Sequence, residues 1–281
     1  MKVLAMDIGG TFLKYALYED ENVLVSGKTP SRAAEGAEAL WAVLLGLGEA
    51  FRGQFDGIAV ATAGTVGPEG QIVYANENIP GYTGVPLKKW LEETFSVPAA
   101  VLNDVAAAAY ALTDTFEDYF FIALGTGVGG AYVHRRQLMN GGTGFGGQIG
   151  YLPMKNGSTA DQTASSAALA RRAGEAGERV FEKAGQGDER AARILDEWLD
   201  DVAQIILTAE IVTGAETIVL GGGVSAQGET LLSPLQAKLD RMETPYRGKF
   251  RLTIAPDGNA SGTLGARKYF EESLRRKNER I

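Results

Sequence analysis

A chain of 281 residues can form one large domain or two of ordinary size, and 45% hydrophobic against 22% charged residues is the balance of a soluble globular protein. A net charge of −8 argues against a broad nucleic-acid surface, no apolar run is long enough to span a bilayer, and zero cysteines exclude disulfides and thiolate metal sites. With no signal or transit pattern at the N-terminus, these features predict a cytoplasmic protein, and any phosphate site in so acidic a chain must be a local positive spot.

The first element is the stretch Lys2 to Tyr18, KVLAMDIGGTFLKYALY, which predicts a strand, a glycine turn and a returning strand. Without a Cβ at Gly9 and Gly10, backbone N–H groups can approach a bulky anion closely. Thr11 adds a hydroxyl, Lys14 a positive charge, and Asp7 a carboxylate at a strand end, suited to a hydrated Mg²⁺. An ordinary hairpin with an Asp-Gly turn fits this stretch alone equally well. A third strand near Val23 to Ser26 and an amphipathic helix over Ala33 to Arg52 follow. Gly57 to Ala61 reads as a buried strand with Ala63-Gly64-Thr65 at its carboxyl end, where ligands of α/β sheets collect. A short strand at Gln71 to Tyr74, a polar loop at Ala75 to Pro80 and a helix from Pro86 to Phe95 come next. The strand Ala99 to Leu102 then runs into Asn103-Asp104 and an alanine-rich helix. Asp104 at that junction reads as a helix N-cap or as a general base on a substrate hydroxyl, and the two roles are compatible.

Tyr119 to Val133, YFFIALGTGVGGAYV, repeats the opening pattern around Gly125-Thr126-Gly127. Two such units predict an internally duplicated fold in which each half offers a glycine turn to one polyphosphate, as in a nucleotide-dependent phosphotransferase with a cleft between domains. The single histidine, His134, follows as a surface turn residue, since one imidazole without clustered partners makes no zinc site. Ser165 to Lys183 and Asp188 to Val212 read as long helices, the second with an apolar stripe that suits a core or a dimer face. Gly221-Gly222-Gly223 closes a strand at Thr217 to Leu220 and leaves bare backbone for adenine or ribose. A helix over Ser233 to Leu239, a strand over Phe250 to Ala255, a terminal helix from Gly262 and a frayed tail from Arg275 to Arg280 complete the prediction.

The order Asp7-Ile8-Gly9-Gly10-Thr11, then Asn103-Asp104, then LGTGVGG at Leu124 to Gly130, then VLGGGVS at Val219 to Ser225 resembles the ROK sugar kinases. The likeness runs through Thr263-Leu264-Gly265-Ala266 and so covers essentially the whole chain. It implies duplicated actin/hexokinase-like (ribonuclease H-like) α/β domains with a cleft between them. The expected bounds are 1–115 for the N-terminal domain, with the terminal helix at about 262–281 packed back on it, and 116–261 for the C-terminal domain. It further implies ATP and Mg²⁺ as cofactors, Asp104 as the base that deprotonates the sugar hydroxyl, Asn103 beside it as a sugar contact, and a homodimer. Phosphoryl transfer suits one base plus positioning, because alignment and electrostatics do most of its catalysis.

The chain departs from the family in the sugar pocket. The family's Glu-x-Gly-His reads Gln148-Ile149-Gly150-Tyr151 here, and its zinc-binding cysteines are missing, so no zinc is expected. A tyrosine at this place resembles the β-glucoside kinase branch; its phenol can still hydrogen-bond and its ring can pack on a sugar. Gln148 loses the charge-assisted bond of a glutamate, which is about twice as strong as a neutral one. Asp161 stands where a family glutamate reaches the sugar, and Asn78 matches a further sugar-contacting asparagine, with a helix cap and a loop asparagine as the plain alternatives; Gly64, at the carboxyl end of its strand, is a further substrate-binding candidate. The expected function is transfer of the γ-phosphoryl group of ATP to a hydroxyl, the 6-hydroxyl, of a hexose, hexosamine or β-glucoside. The alternative is a sugar-sensing protein with little turnover. Neither a nucleic-acid nor a membrane partner is expected.

Overall fold

The computed structural model describes residues 1–242, 250–256 and 262–279, and the chain divides into two compact units. Unit 1 is built from Met1–Leu112, Asn140–Phe145 and the last helix; unit 2 holds Thr113–Met139 and the described residues from Gly146 to 256. The expected second-domain limit at 261, and positions 280–281 of the expected terminal helix and tail, lie outside the described residues.

In unit 1, strand β1 (Lys2–Ile8) returns as β2 (Phe12–Glu19), paired from Ile8↔Leu13 to Lys2↔Glu19. Val3 to Met6 are all fully buried because neighbours cover both faces of β1. The strand β3 (Asn22–Pro30) extends the hairpin with a bulge beside Leu17 and Tyr18. The expected helix from Ala33 splits: a 3₁₀ turn at Ala33–Glu35 stops at Gly36, and α1 runs Ala37–Ala50. There the Ala37 N–H turns away to the Pro80 carbonyl (2.9 Å). Strand β4 (Gly57–Thr62) lies parallel to β1, one residue longer than its apolar run suggests. A two-stranded ribbon of β5 (Thr65–Val66) and β6 (Ile72–Tyr74) and the helix α2 (Leu87–Phe95) lead to β7 (Ala99–Asn103), parallel to β4, and to α3 (Asp104–Tyr110). The sheet order is β3-β2-β1-β4-β7.

Unit 2 repeats this plan. Strands β8 (Tyr119–Leu124) and β9 (Val128–His134) form the second hairpin, and β10 (Gln137–Leu138) adds to its edge. The chain then contributes Asn140–Phe145 to unit 1, where Gly144 lies directly on the Val66 carbonyl. Back in unit 2, a short α4 (Ala160–Ala164) precedes α5 (Ser166–Ala173) and α6 (Gly177–Gly185), so the expected helix over Ser165 to Lys183 is two helices parted by the left-handed cap at Gly174. The long α7 (Glu189–Thr213) buries Trp198, Leu199, Val202, Ile205 and Ile206 in the core, as its helical spacing predicts. Strand β11 (Thr217–Gly221), helix α8 (Glu229–Arg241) and strand β12 (Arg251–Ile254) complete the sheet β10-β9-β8-β11-β12. In both sheets the hairpin strands are antiparallel and the next two strands parallel. The last helix, α9 (Gly262–Glu279), packs in unit 1 against β1, β4 and α3, with Phe270 fully buried. The tail expected to fray from Arg275 is helical through Glu279, with Arg275 and Arg276 paired to Glu272.

Candidate functional site

The register of unit 1 sets the chemistry at one end of its sheet. Ile8, Thr62 and Asn103 lie abreast at the carboxyl ends of the parallel strands β1, β4 and β7, with Asp7 one step back opposite Ala61. This is the edge where open α/β sheets bind ligands. Asp7 also faces Lys14 across the hairpin. Burial raises the Asp7 carboxyl, while the Lys14 charge pulls it back. Behind it, a Cβ on Gly262 at the start of α9 would come within 2.6 Å of the Asp7 carboxylate, so that helix end backs the acid closely. The turn Gly9-Gly10-Thr11 is exposed, with the Gly9 N–H bonded to the Phe12 carbonyl (3.0 Å) and open space where a Cβ of Gly10 would sit.

Asn103, not Asp104, is the helix cap. Its Oδ1 accepts from Val105 N–H (2.9 Å) and Ala106 N–H (3.1 Å), while its Nδ2 donates to the Gly64 carbonyl and to Asp104 Oδ1 (2.9 Å each). Asp104 is the first residue of α3, and its Oδ1 also accepts from Val105 N–H (2.9 Å). Desolvation pushes the Asp104 carboxyl up to about 6; the Val105 N–H opposes this, and the Asp7 charge adds to it. Such a value suits a general base at neutral pH, mostly ionised yet basic enough to take a proton. Gly64 sits at φ +93, a left-handed conformation open to glycine, and a Cβ there would meet the Tyr74 carbonyl at 2.7 Å. Asn78 is exposed in the loop after β6, its N–H bonded to Asn76 Oδ1 (3.1 Å).

In unit 2 the second glycine turn is more enclosed. Gly125 N–H bonds to the Gly127 carbonyl (2.9 Å), and Ser166 N–H and hydroxyl both donate to the Gly125 carbonyl (2.8 and 2.7 Å). Thr126 is exposed at the tip. Asp161, in the first turn of α4, does not cap that helix; Thr159 and Gln162 form its capping box. The Asp161 carboxylate instead accepts the Val128 N–H at the end of the turn (2.7 Å), and a Cβ on Gly127 would come within 2.5 Å of it. Gly221 to Gly223 lie beside this turn, since a Cβ on Gly222 would fall 2.5 Å from the Leu124 carbonyl. The loop of Gln148 and Tyr151 is laid on β9, with Gly150 directly against the Val128 carbonyl. Gln148 is partly exposed and the Tyr151 ring is exposed.

Unit 1 therefore groups Asp7, Gly9, Gly10, Thr11, Lys14, Gly64, Asn103 and Asp104, with Asn78 in a neighbouring loop. Unit 2 groups Gly125, Thr126, Gly127, Asp161, Gln148, Tyr151 and Gly221 to Gly223. Sequence reasoning passed over Thr62, whose hydroxyl is 2.8 Å from the buried Tyr82 hydroxyl, and Gly262; a threonine closing an otherwise apolar strand was the available signal for the first. His134 is the last residue of β9 rather than a turn residue; the turn is Arg135-Arg136, and the imidazole binds the Asp118 carboxylate. Among the described residues no cluster of three His, Cys, Asp or Glu could hold a metal, and no helix is long and apolar enough to cross a membrane.

A ROK family model matches residues 3–273. The N-acetylmannosamine kinase of Salmonella typhi is 31% identical over 95% of this chain and 97% of its own. Among solved structures, the Lmo2764 protein of Listeria monocytogenes superposes with a TM-score of 0.86 at 24% identity, covering 98% of this chain and 100% of its own. A ROK family glucokinase from Streptomyces griseus, solved with glucose and AMPPNP, gives 0.78 at 24% identity over 97% and 100%. These likenesses show the fold as actin/hexokinase-like; the matched proteins include carbohydrate kinases and also a ROK family transcriptional regulator.

Proposed function

Because the chain belongs to the ROK family, we propose that it is an ATP-dependent sugar kinase, transferring the γ-phosphoryl group to the 6-hydroxyl of a hexose, hexosamine or β-glucoside. The observation that carries this reading is the Asp104 carboxylate: it stands just beyond the carboxyl ends of the parallel strands β1, β4 and β7, held through one oxygen and raised by desolvation to about 6. The bonds from Asn103 Nδ2 and Val105 N–H both fall on Oδ1, and Oδ2 is the oxygen proposed to accept the proton of an acceptor hydroxyl.

The remaining residues supply binding and alignment. Backbone amides at Gly9, Gly10 and Thr11, with the Lys14 ammonium, suit phosphate oxygens; Gly125, Thr126, Gly127 and Gly221 to Gly223 suit the rest of a nucleotide. The Asp7 carboxylate makes no direct hydrogen bond among the described residues, and one carboxylate with waters and phosphate oxygens is a common Mg²⁺ environment. Bound there through water, the ion would offset phosphate charge. Gly64, Asn78, Gln148, Tyr151 and Asp161 are the proposed sugar contacts.

An ADP-release assay with Mg²⁺ over a sugar panel that includes N-acetylmannosamine, glucose and a β-glucoside tests the reading. The expected outcome is turnover on at least one sugar, lost by about 10²- to 10⁴-fold in Asp104→Ala while sugar binding measured by calorimetry persists. The amide at Gln148, in place of a charge, favours a second reading, a sugar sensor. Sugar binding without turnover on any member of the panel would establish that reading and end the first.

A further inference from the structure

We propose that Lys28 is a second phosphate-binding cation of unit 1: with Lys14, on the face of the sheet that carries Asp7, its ammonium takes oxygens of a nucleotide's phosphate chain. The role deepens the nucleotide reading above and rests on it.

Strand register places the two lysines together. Residues directly opposite each other in an antiparallel pair share one face of the sheet. Asp7 faces Lys14 across β1 and β2, and Lys14 faces Lys28 across β2 and β3, so the three side chains form one row over three strands. Like charges set directly opposite each other are destabilising unless a counter-charge answers them. Lys2 and Arg32 pair with Glu19 and Glu35, but among the described residues neither Lys14 nor Lys28 has an ion-pair partner. The Asp7 charge acts on Lys14 from the side away from Lys28. In a chain with 35 acidic against 27 basic residues, two opposed ammonium groups without a carboxylate between them form a local positive spot fit for a phosphate.

The Lys28 side chain leans toward the glycine turn. Its ammonium lies 4.8 Å from the centre of the Phe12 ring, and Phe12 pairs with Pro30, one step nearer the turn on the same face. A cation over an aromatic face is held there by the ring's quadrupole. The charge is thus carried toward Gly9 to Thr11, while both Lys28 and the Phe12 ring stay exposed to a ligand. The end of β3 is fastened to the same turn. The Ser31 N–H donates to the Thr11 carbonyl (3.0 Å) and the Ser31 hydroxyl to the Gly10 carbonyl (3.1 Å), with Ser31 fully buried. The strand that carries Lys28 therefore keeps a fixed place beside the turn.

Two substitutions at this exposed position separate charge from packing. Lys28→Met keeps much of the side chain and removes the charge, and Lys28→Arg keeps the charge. Calorimetry with AMPPNP and Mg²⁺ reads the difference, with adenosine as the ligand that lacks phosphates. Lys28→Met should bind AMPPNP about tenfold more weakly than wild type and adenosine within about twofold, and Lys28→Arg should bind AMPPNP within about threefold. The deficit of Lys28→Met should also shrink as salt is raised, because exposed charges are screened. Unchanged AMPPNP affinity in Lys28→Met would leave Lys28 as a cation that only packs on Phe12 and would overturn the proposal. Equal weakening of AMPPNP and adenosine would overturn it too, as would a wild type that binds no AMPPNP. The kinase reading is judged apart from this: AMPPNP binding that depends on Lys28, with no turnover of any sugar, would end that reading and uphold the phosphate site.

Discussion

The two units carry the same sheet order and the same pair of hairpins, yet they treat negative charge at the strand ends in opposite ways. In unit 1 the turn over Gly9 to Thr11 is open, and the nearby Asp7 and Asp104 are both raised by burial. In unit 2 a carboxylate is already on the turn: Asp161 takes the Val128 amide, and Ser166 holds the Gly125 carbonyl. Duplication thus supplied one scaffold, and side chains that arrive after the repeated strands gave each copy its own chemistry. Unit 1 holds acids whose carboxyls burial raises; unit 2 uses an acid as a hydrogen-bond acceptor on its turn.

The largest expected effect tests the half that holds the raised carboxyls. Asp104→Asn should cost turnover about as much as Asp104→Ala, about 10²-fold or more, while protein stability responds in the opposite sense. The Asp104 carboxyl is raised in the folded state to about 6, so its favourable contribution is complete below its unfolded value of 3.8 and is lost as pH rises through 6. Removing the charge should therefore raise the melting temperature of the ligand-free protein at pH 8 and leave it unchanged near pH 4. The difference corresponds to an energy on the order of 1–3 kcal/mol. A melting curve whose mutant-to-wild-type gap does not grow with pH would break the contrast at its unit 1 end.

A smaller effect probes the two turns directly. Gly127→Ala places a methyl against Asp161 Oδ1 and should destabilise unit 2 by about 1–3 kcal/mol in denaturant unfolding. Gly10→Ala meets nothing within 4 Å and should leave stability within about 1 kcal/mol of wild type, yet weaken nucleotide binding in calorimetry. Equal destabilisation by both would mean that the turns are not enclosed differently. The smallest effect sharpens the role of that acceptor. Asp161→Asn keeps an acceptor for the buried Val128 amide and should cost under about 1 kcal/mol, whereas Asp161→Ala strands that amide and should cost about 1–3 kcal/mol. A melting temperature lowered equally by the two would show that charge, not the hydrogen bond, is what unit 2 uses.

Much of this was legible in the sequence because the signals are local. Apolar runs ending in Gly9-Gly10, Gly125-Thr126-Gly127 and Gly221-Gly222-Gly223 mark strand ends, and Asn103-Asp104 closes an apolar strand where polar residues have no core role. Some misses were also local: Thr159 and Gln162 have the spacing of a capping box, and Gly36 and Gly174 are helix stops inside otherwise periodic runs. Other features were beyond reach. Which of two adjacent residues caps α3 depends on backbone angles, not residue type, since Asn and Asp cap about equally well. The Tyr82–Thr62 bond and the seating of Gly262 behind Asp7 join residues far apart in the chain, and only the folded sheet brings them together.

The position of α9 in the chain has a consequence for biogenesis. The helix that backs Asp7 and covers β1, β4 and α3 is translated after every strand of unit 2. The half begun first on the ribosome is therefore the half finished last, and its nascent sheet must wait, one face uncovered, while the other half is made. A chain that ends before Gly262 and is released from the ribosome should leave unit 2 resistant to protease and unit 1 open to it.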